Sequence, residues 1–226
     1  MCNLCNPADI LTSAGDNLRI SLRLIDWQPG RQGRIDCMKT YRKRDFPVSD
    51  IRRFLEPGPI VLISSAWKEK INIMTLGWHM VMEFSPSLVG CVIANSNFSF
   101  EMIRRSRECV INVPSLELVD EVVGIGNCSG DEVDKFSRFH LTPVQATDVG
   151  APLIGECFVN LECRIADARL VNTYNFFIFE VLKAHVSTAL KGIGTLHYQG
   201  KGIFITSGKL VNKRHKFTKW RNSPYF

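Results

Sequence analysis

The chain has 226 residues, 45% hydrophobic and 22% charged, an ordinary balance for a globular protein and enough for one well-packed domain, or one domain with an extension. No apolar run approaches the ~20 residues that span a bilayer, and the N-terminus lacks the basic start and apolar core of a signal peptide, so the expected setting is the cytoplasm, away from membranes. The formal net charge of +6 is matched by the last 22 residues alone, which hold six Lys/Arg and no acid, so the body leaves no footprint for nucleic acid.

Residues 1–37 lack sustained periodicity and end in Gln28-Pro29-Gly30-Arg31-Gln32-Gly33. They read as an N-terminal extension, either flexible or upstream of a true start at Met38. A single domain over residues 38–226 follows, closed by the basic tail with Phe217 and Trp220. That tail is expected to pack its aromatics on the domain or on a second subunit and to solvate its charges. Cys2-Asn3-Leu4-Cys5 is a CxxC motif, but no second CxxC or CxxH follows to complete a tetrahedral site, so no metal is expected. Eight cysteines in a chain without a signal peptide do not suggest disulfides. Cys91, Cys109 and Cys163 stand in apolar runs as small core residues.

From Phe46 the order improves. Pro59 to Ser65 is a buried strand, Lys68-Glu69-Lys70 a charged turn, and Ile71 to Thr75 the returning strand of a hairpin. Leu88 to Ala94 is a third strand. Phe98 to Arg107 is a helix with Phe98, Met102 and Ile103 on one side. Cys109 to Val113 is a strand stopped by Pro114, and Leu116 to Val123 has helical spacing. Gly124 to Gly130 approaches GxGxxG, but its third glycine is one place late and it follows a helix rather than a strand, so it reads as a glycine-rich loop. Asp131 to Phe136 forms a short helix, and Phe158–Ile165, Phe176–Val186 and Gly202–Thr206 supply the remaining strands. Strands outnumber helices and regular βα alternation is absent. The expected fold is mainly β (α+β), a closed or split barrel with inserted helices, because closure removes exposed edges.

Three polar clusters are expected at one end of this sheet: Asn72 to His79, Ser85-Pro86-Ser87, and Asn95-Ser96-Asn97-Phe98-Ser99. The first N–H groups of a helix lack intrahelical partners and sit at the positive end of its dipole, so residues 96–99 offer a cradle for phosphate. Plain capping by Ser96 or Asn97 is the other use of the same residues. Amides and hydroxyls beside Trp78 suit a ligand that is half aromatic and half phosphate. No GxSxG or HExxH is present, which argues against a hydrolase.

The order and spacing of these segments resemble the flavin reductase-like family, from about Phe46 to about Lys209. The resemblance implies an FMN-binding split β-barrel of Greek-key antiparallel strands. It implies phosphate contacts from Ser96, Asn97 and Ser99, and flavin contacts from Asn72, Met74, Thr75 and Trp78. It further implies a homodimer with the flavin near the subunit interface, NAD(P)H as electron donor, and free flavin, a partner protein or a small molecule as acceptor. A flavoredoxin-type electron carrier reduced by a protein, or a non-redox binding module, are the alternatives on the same fold. His79 reads as a hydrogen-bonded structural histidine or an acid near the flavin. Lys135 reads as a solvated lysine or a cation for phosphate. Asn175 stands in a region that lines the site in relatives, many of which carry a histidine nearby. No residue is assigned a catalytic role, because the flavin would carry the chemistry.

Overall fold

The computed structural model describes residues 39–216. The expected extension over residues 1–37, Met38, and the tail aromatics Phe217 and Trp220 lie outside the described residues.

The described chain runs β1 (Lys43–Phe46), α1 (Arg52–Leu55), β2 (Val61–Trp67), β3 (Lys70–Leu76), β4 (His79–Phe84) and β5 (Ser87–Val92). Then follow α2 (Phe98–Ser106), β6 (Glu108–Val113), α3 (Val119–Gly126), α4 (Lys135–Arg138), β7 (Pro143–Val144) and β8 (Leu153–Ile154). The last elements are β9 (Val159–Asp167), α5 (Val171–Tyr174), β10 (Phe176–Ser187), β11 (Leu196–Gly200) and β12 (Ile203–Thr206). The main sheet is antiparallel with the order β3-β2-β6-β9-β10-β5-β4, and β1 also pairs with β10. Two strands consecutive in the chain, β3 and β4, stand at opposite ends of that order. The link Gly77-Trp78 therefore crosses the seam of a split barrel, in which the family-based expectation and the observed topology agree.

Alternation along the strands sorts the core into two layers. Val61, Ile63, Met74 and Leu76 face the barrel interior with Val89, Cys91, Ile111 and Phe179. Their neighbours Leu62 and Ile73 face outward and are covered by Val122 and Ile125 of α3 and Phe136 of α4. The long β10 keeps Phe177 and Phe179 inside as a stacked pair, with ring centroids 5.7 Å apart. A register shift between Val181 and Lys183 moves the inward positions on to Ala184 and Val186.

Several elements depart from the sequence expectations. The strands β1, β4, β7, β8 and β11 were not expected. All but β4 are short, and β4 begins at His79 inside a segment whose polar residues suggested a binding loop. The expected glycine loop begins three residues late, because α3 runs through Gly124 and Gly126. Gly124 is required by packing: a Cβ there would lie 2.4 Å from Phe139 Cε1. The helix expected from Asp131 starts instead at Lys135, because Asp134 is its N-cap and its carboxylate accepts the Ser137 N–H at 3.2 Å.

Candidate functional site

The N-terminus of α2 meets β3 at one end of the barrel, and a buried amide joins them. Asn72 is 2% exposed, and its Nδ2 donates to Ser99 Oγ at 2.8 Å, in the first turn of α2. Ser65, directly across from Asn72 on β2, brings its hydroxyl to 3.5 Å from the same oxygen. The other end of the Asn72 amide is unspent: Oδ1 is buried and has no hydrogen-bond partner. Gly130 covers it so closely that a Cβ there would lie 2.0 Å from Oδ1. A buried acceptor without a donor costs about 1–3 kcal/mol.

The start of α2 is also open. Asn97 holds the N-cap position with extended backbone (φ −77°, ψ 134°), yet its side chain makes no capping bond. Its Nδ2 donates instead to the Ala94 carbonyl at 3.3 Å. Ser96 is exposed in the turn just before. The first peptide N–H groups of α2 therefore lack a side-chain cap and lie at the positive end of the helix dipole. Lys70 adds a cation there, its Nζ 5.8 Å from the centroid of the Phe98 ring. Lys70, expected in a charged turn, instead opens β3. Its spacing two residues before Asn72, on the same face of a strand, was the available signal.

The other expected contacts separate. Asn72 and Thr75 are three apart on a strand and point to opposite faces. The Thr75 hydroxyl donates to the Val122 carbonyl at 2.7 Å, under α3. The Met74 side chain is buried in the barrel interior, so only its backbone is free to serve a ligand. Because β3 is a sheet edge, alternate peptide groups along it face away from β2. Trp78, at the seam, is 58% exposed. The expectation that Ser85-Pro86-Ser87 joins the other two polar clusters is corrected. Ser85 and Pro86 form the turn between β4 and β5 and Ser87 opens β5, at the opposite end of that hairpin from Trp78 and Ile93, because β4 is a strand rather than a loop.

His79 is structural in its contacts. Its Nε2 donates to the Pro59 carbonyl at 2.7 Å, Nδ1 is buried, and burial lowers its pKa against the opposing pull of that carbonyl. Lys135 is neither solvated nor directed at an anion. It is buried, and its Nζ donates to the Ile125 carbonyl at 3.0 Å, at the C-terminal end of α3 where a cation is favourable. Burial lowers its pKa, while Cys128 and Asp131 act to raise it. Asn175 closes α5 in the left-handed region (φ 56°), and its carbonyl accepts the Ile93 N–H at 3.0 Å, which anchors the segment leading to Ser96.

An aromatic, phosphorylated ligand fits these residues. The uncapped start of α2 and the nearby Lys70 supply polar groups, and Trp78 supplies an exposed ring. Among the described residues no cluster of three or more His, Cys, Asp or Glu is arranged to hold a metal ion, and no helix is long and apolar enough to cross a membrane.

Residues 52–207 match the model of the flavin reductase like domain. An uncharacterized protein of Archaeoglobus fulgidus is 34% identical over 144 residues, covering 64% of this chain and 81% of the relative. Among solved structures, the fold is similar to an FMN-binding domain of a flavin reductases-like enzyme from Shewanella baltica, with a TM-score of 0.71 and 23% identity over 77% of this chain and 98% of that one. It is also similar to the flavoredoxin of Desulfovibrio vulgaris, with a TM-score of 0.65 and 20% identity over 70% of this chain and 90% of that one.

Proposed function

The chain belongs to the flavin reductase-like family, and from that premise we propose that it is an FMN-binding oxidoreductase of the NAD(P)H-dependent type, working in the cytoplasm as a homodimer. The observation that carries the reading is the Asn72–Ser99 clasp beneath the uncapped start of α2. When bound, FMN supplies the hydride and electron chemistry that links NAD(P)H to free flavin, a partner protein or a small acceptor. The chain's own residues bind and orient it. Ser96 and the first N–H groups of α2, including those after Asn97, would hold the phosphate, with the buried Ser99 bracing that turn through Asn72 and Lys70 as counter-charge. Asn72 and the edge peptides of β3 around Met74 and Thr75 meet the polar side of the ring system, and Trp78 flanks it.

The outer face of β4, β5 and β10 supports the dimer. Met80 and Met82 of β4 are exposed at 56% and 41%, beside Trp78. Gly90 keeps this face flat, since a Cβ there would lie 2.5 Å from Phe176 Cζ and 3.0 Å from Met82 Sδ. A patch of this kind beside the site suits a second copy that encloses the flavin.

The test is an absorption spectrum of the purified protein with and without added FMN, followed by NADH or NADPH without oxygen. A perturbed band at about 450 nm that bleaches with pyridine nucleotide is the expected result. Binding without bleaching would transfer the reading to an electron carrier fed by a protein donor. No perturbation at all would overturn it.

A further inference from the structure

The loop after α3 carries an acid to the edge of the phosphate cradle. Gly130 is pressed against Asn72, which is itself bonded to Ser99 in the first turn of α2. The next residue, Asp131, is fully exposed. The Ser129 hydroxyl, backbone N–H groups and the charge of Lys70 all favour its ionised form. Lys70 in turn lies beside Phe98, the first residue of α2. Asp131 follows the glycine that abuts Asn72, and Lys70 lies beside Phe98, so an acidic residue as well as a basic one neighbours the first turn of α2, where a bare anion site would carry cations alone.

We propose that Asp131 is a specificity-determining residue of the flavin site: its charge weakens the hold on phosphorylated flavin and keeps that flavin exchangeable. The inference rests on the flavin reading above. A phosphate at the start of α2 carries close to two negative charges. It gains from the helix dipole and Lys70, and loses to Asp131. Exposed charges are screened over roughly 8–10 Å at physiological salt, so the carboxylate modulates affinity without abolishing it. Riboflavin, which has the same ring and no phosphate, is insensitive to the exchange.

The experiment titrates FMN and riboflavin against the full chain, Asp131→Asn and Lys70→Gln. Asparagine keeps an acceptor for the Ser129 hydroxyl, so the loop retains its turn. Asp131→Asn is expected to tighten FMN by about threefold and leave riboflavin unchanged, with the gain shrinking as salt is added. Lys70→Gln is expected to weaken FMN by a similar factor, again sparing riboflavin. An unchanged ratio of FMN to riboflavin affinity in Asp131→Asn would overturn the proposal, and so would an equal change in both ligands. Failure of either flavin to bind the unaltered chain would strike the flavin reading itself, a result distinct from an unchanged ratio.

Discussion

At the scale of single residues, Asn72 has two different ends. One is spent on Ser99 and one is buried without a partner. Asn72→Ala is expected to destabilise the fold by about 1–2 kcal/mol through the lost bond, and to weaken FMN by about tenfold. Flavin titration beside a chemical melt separates the two effects, and unchanged FMN affinity would remove Asn72 from the site. Gly130→Ala addresses the same contact from the other side. Its methyl collides with Oδ1, so a loss of about 1–3 kcal/mol is expected, read as a lower urea midpoint. His79 sets a pH dependence. Burial holds its folded pKa below the ordinary value, so the unfolded chain takes up this proton first as pH falls. Its contribution is complete above pH of about 6.5 and declines below that, until the folded pKa is reached. Urea midpoints at about pH 7.5 and about pH 5.5 should differ less in His79→Gln than in the unaltered protein.

At the scale of elements, two helix starts differ in what their caps do. Asp134 accepts the Ser137 N–H at the start of α4, whereas Asn97 at the start of α2 makes no such bond. Asp134→Ala should therefore cost about 1 kcal/mol, and Asn97→Ala less than about 0.5 kcal/mol. Equal losses in thermal melts would mean that Asn97 caps α2 after all, leaving less of that helix end for phosphate. The contrast explains why residue preference alone could not assign the segment. Serine and asparagine suit a cap and an anion cradle equally, and the choice depends on where each side chain points.

At the scale of the molecule, the seam between β3 and β4 lies beside the exposed face of Met80 and Met82, on which the proposed dimer would assemble. Stable interfaces bury roughly 1,200–2,000 Å² in total. Met80→Glu combined with Met82→Glu places charges in the middle of that face, and is expected to convert the proposed dimer to monomer in sedimentation. Because Trp78 lies on the same edge, the substitutions should also weaken FMN. A dimer that survives both glutamates would locate the interface elsewhere.

The sequence by itself determined the alternation of the long strands and the family. Phe176 to Val186 announces itself by buried side chains at alternate positions and Pro59 to Ser65 by a continuous, mostly apolar run covered on both faces, local constraints written in the chain. Part of the candidate site's geometry was legible too: Asn72 and Ser99, named from the sequence, meet, and Ser96 and Asn97 lie in the turn that opens α2. Short strands such as β1 and β11 were not legible, since a few residues carry too little periodicity. Only the tertiary structure decided that Ser85-Pro86-Ser87 turns away, that Thr75 is tied to Val122, that Lys135 is buried under α3, and that Gly130 rests on Asn72. Each depends on contacts between segments far apart in the chain or on the face a strand turns inward. Residue type names a side chain's capability, and the closing of the barrel selects which partner receives it.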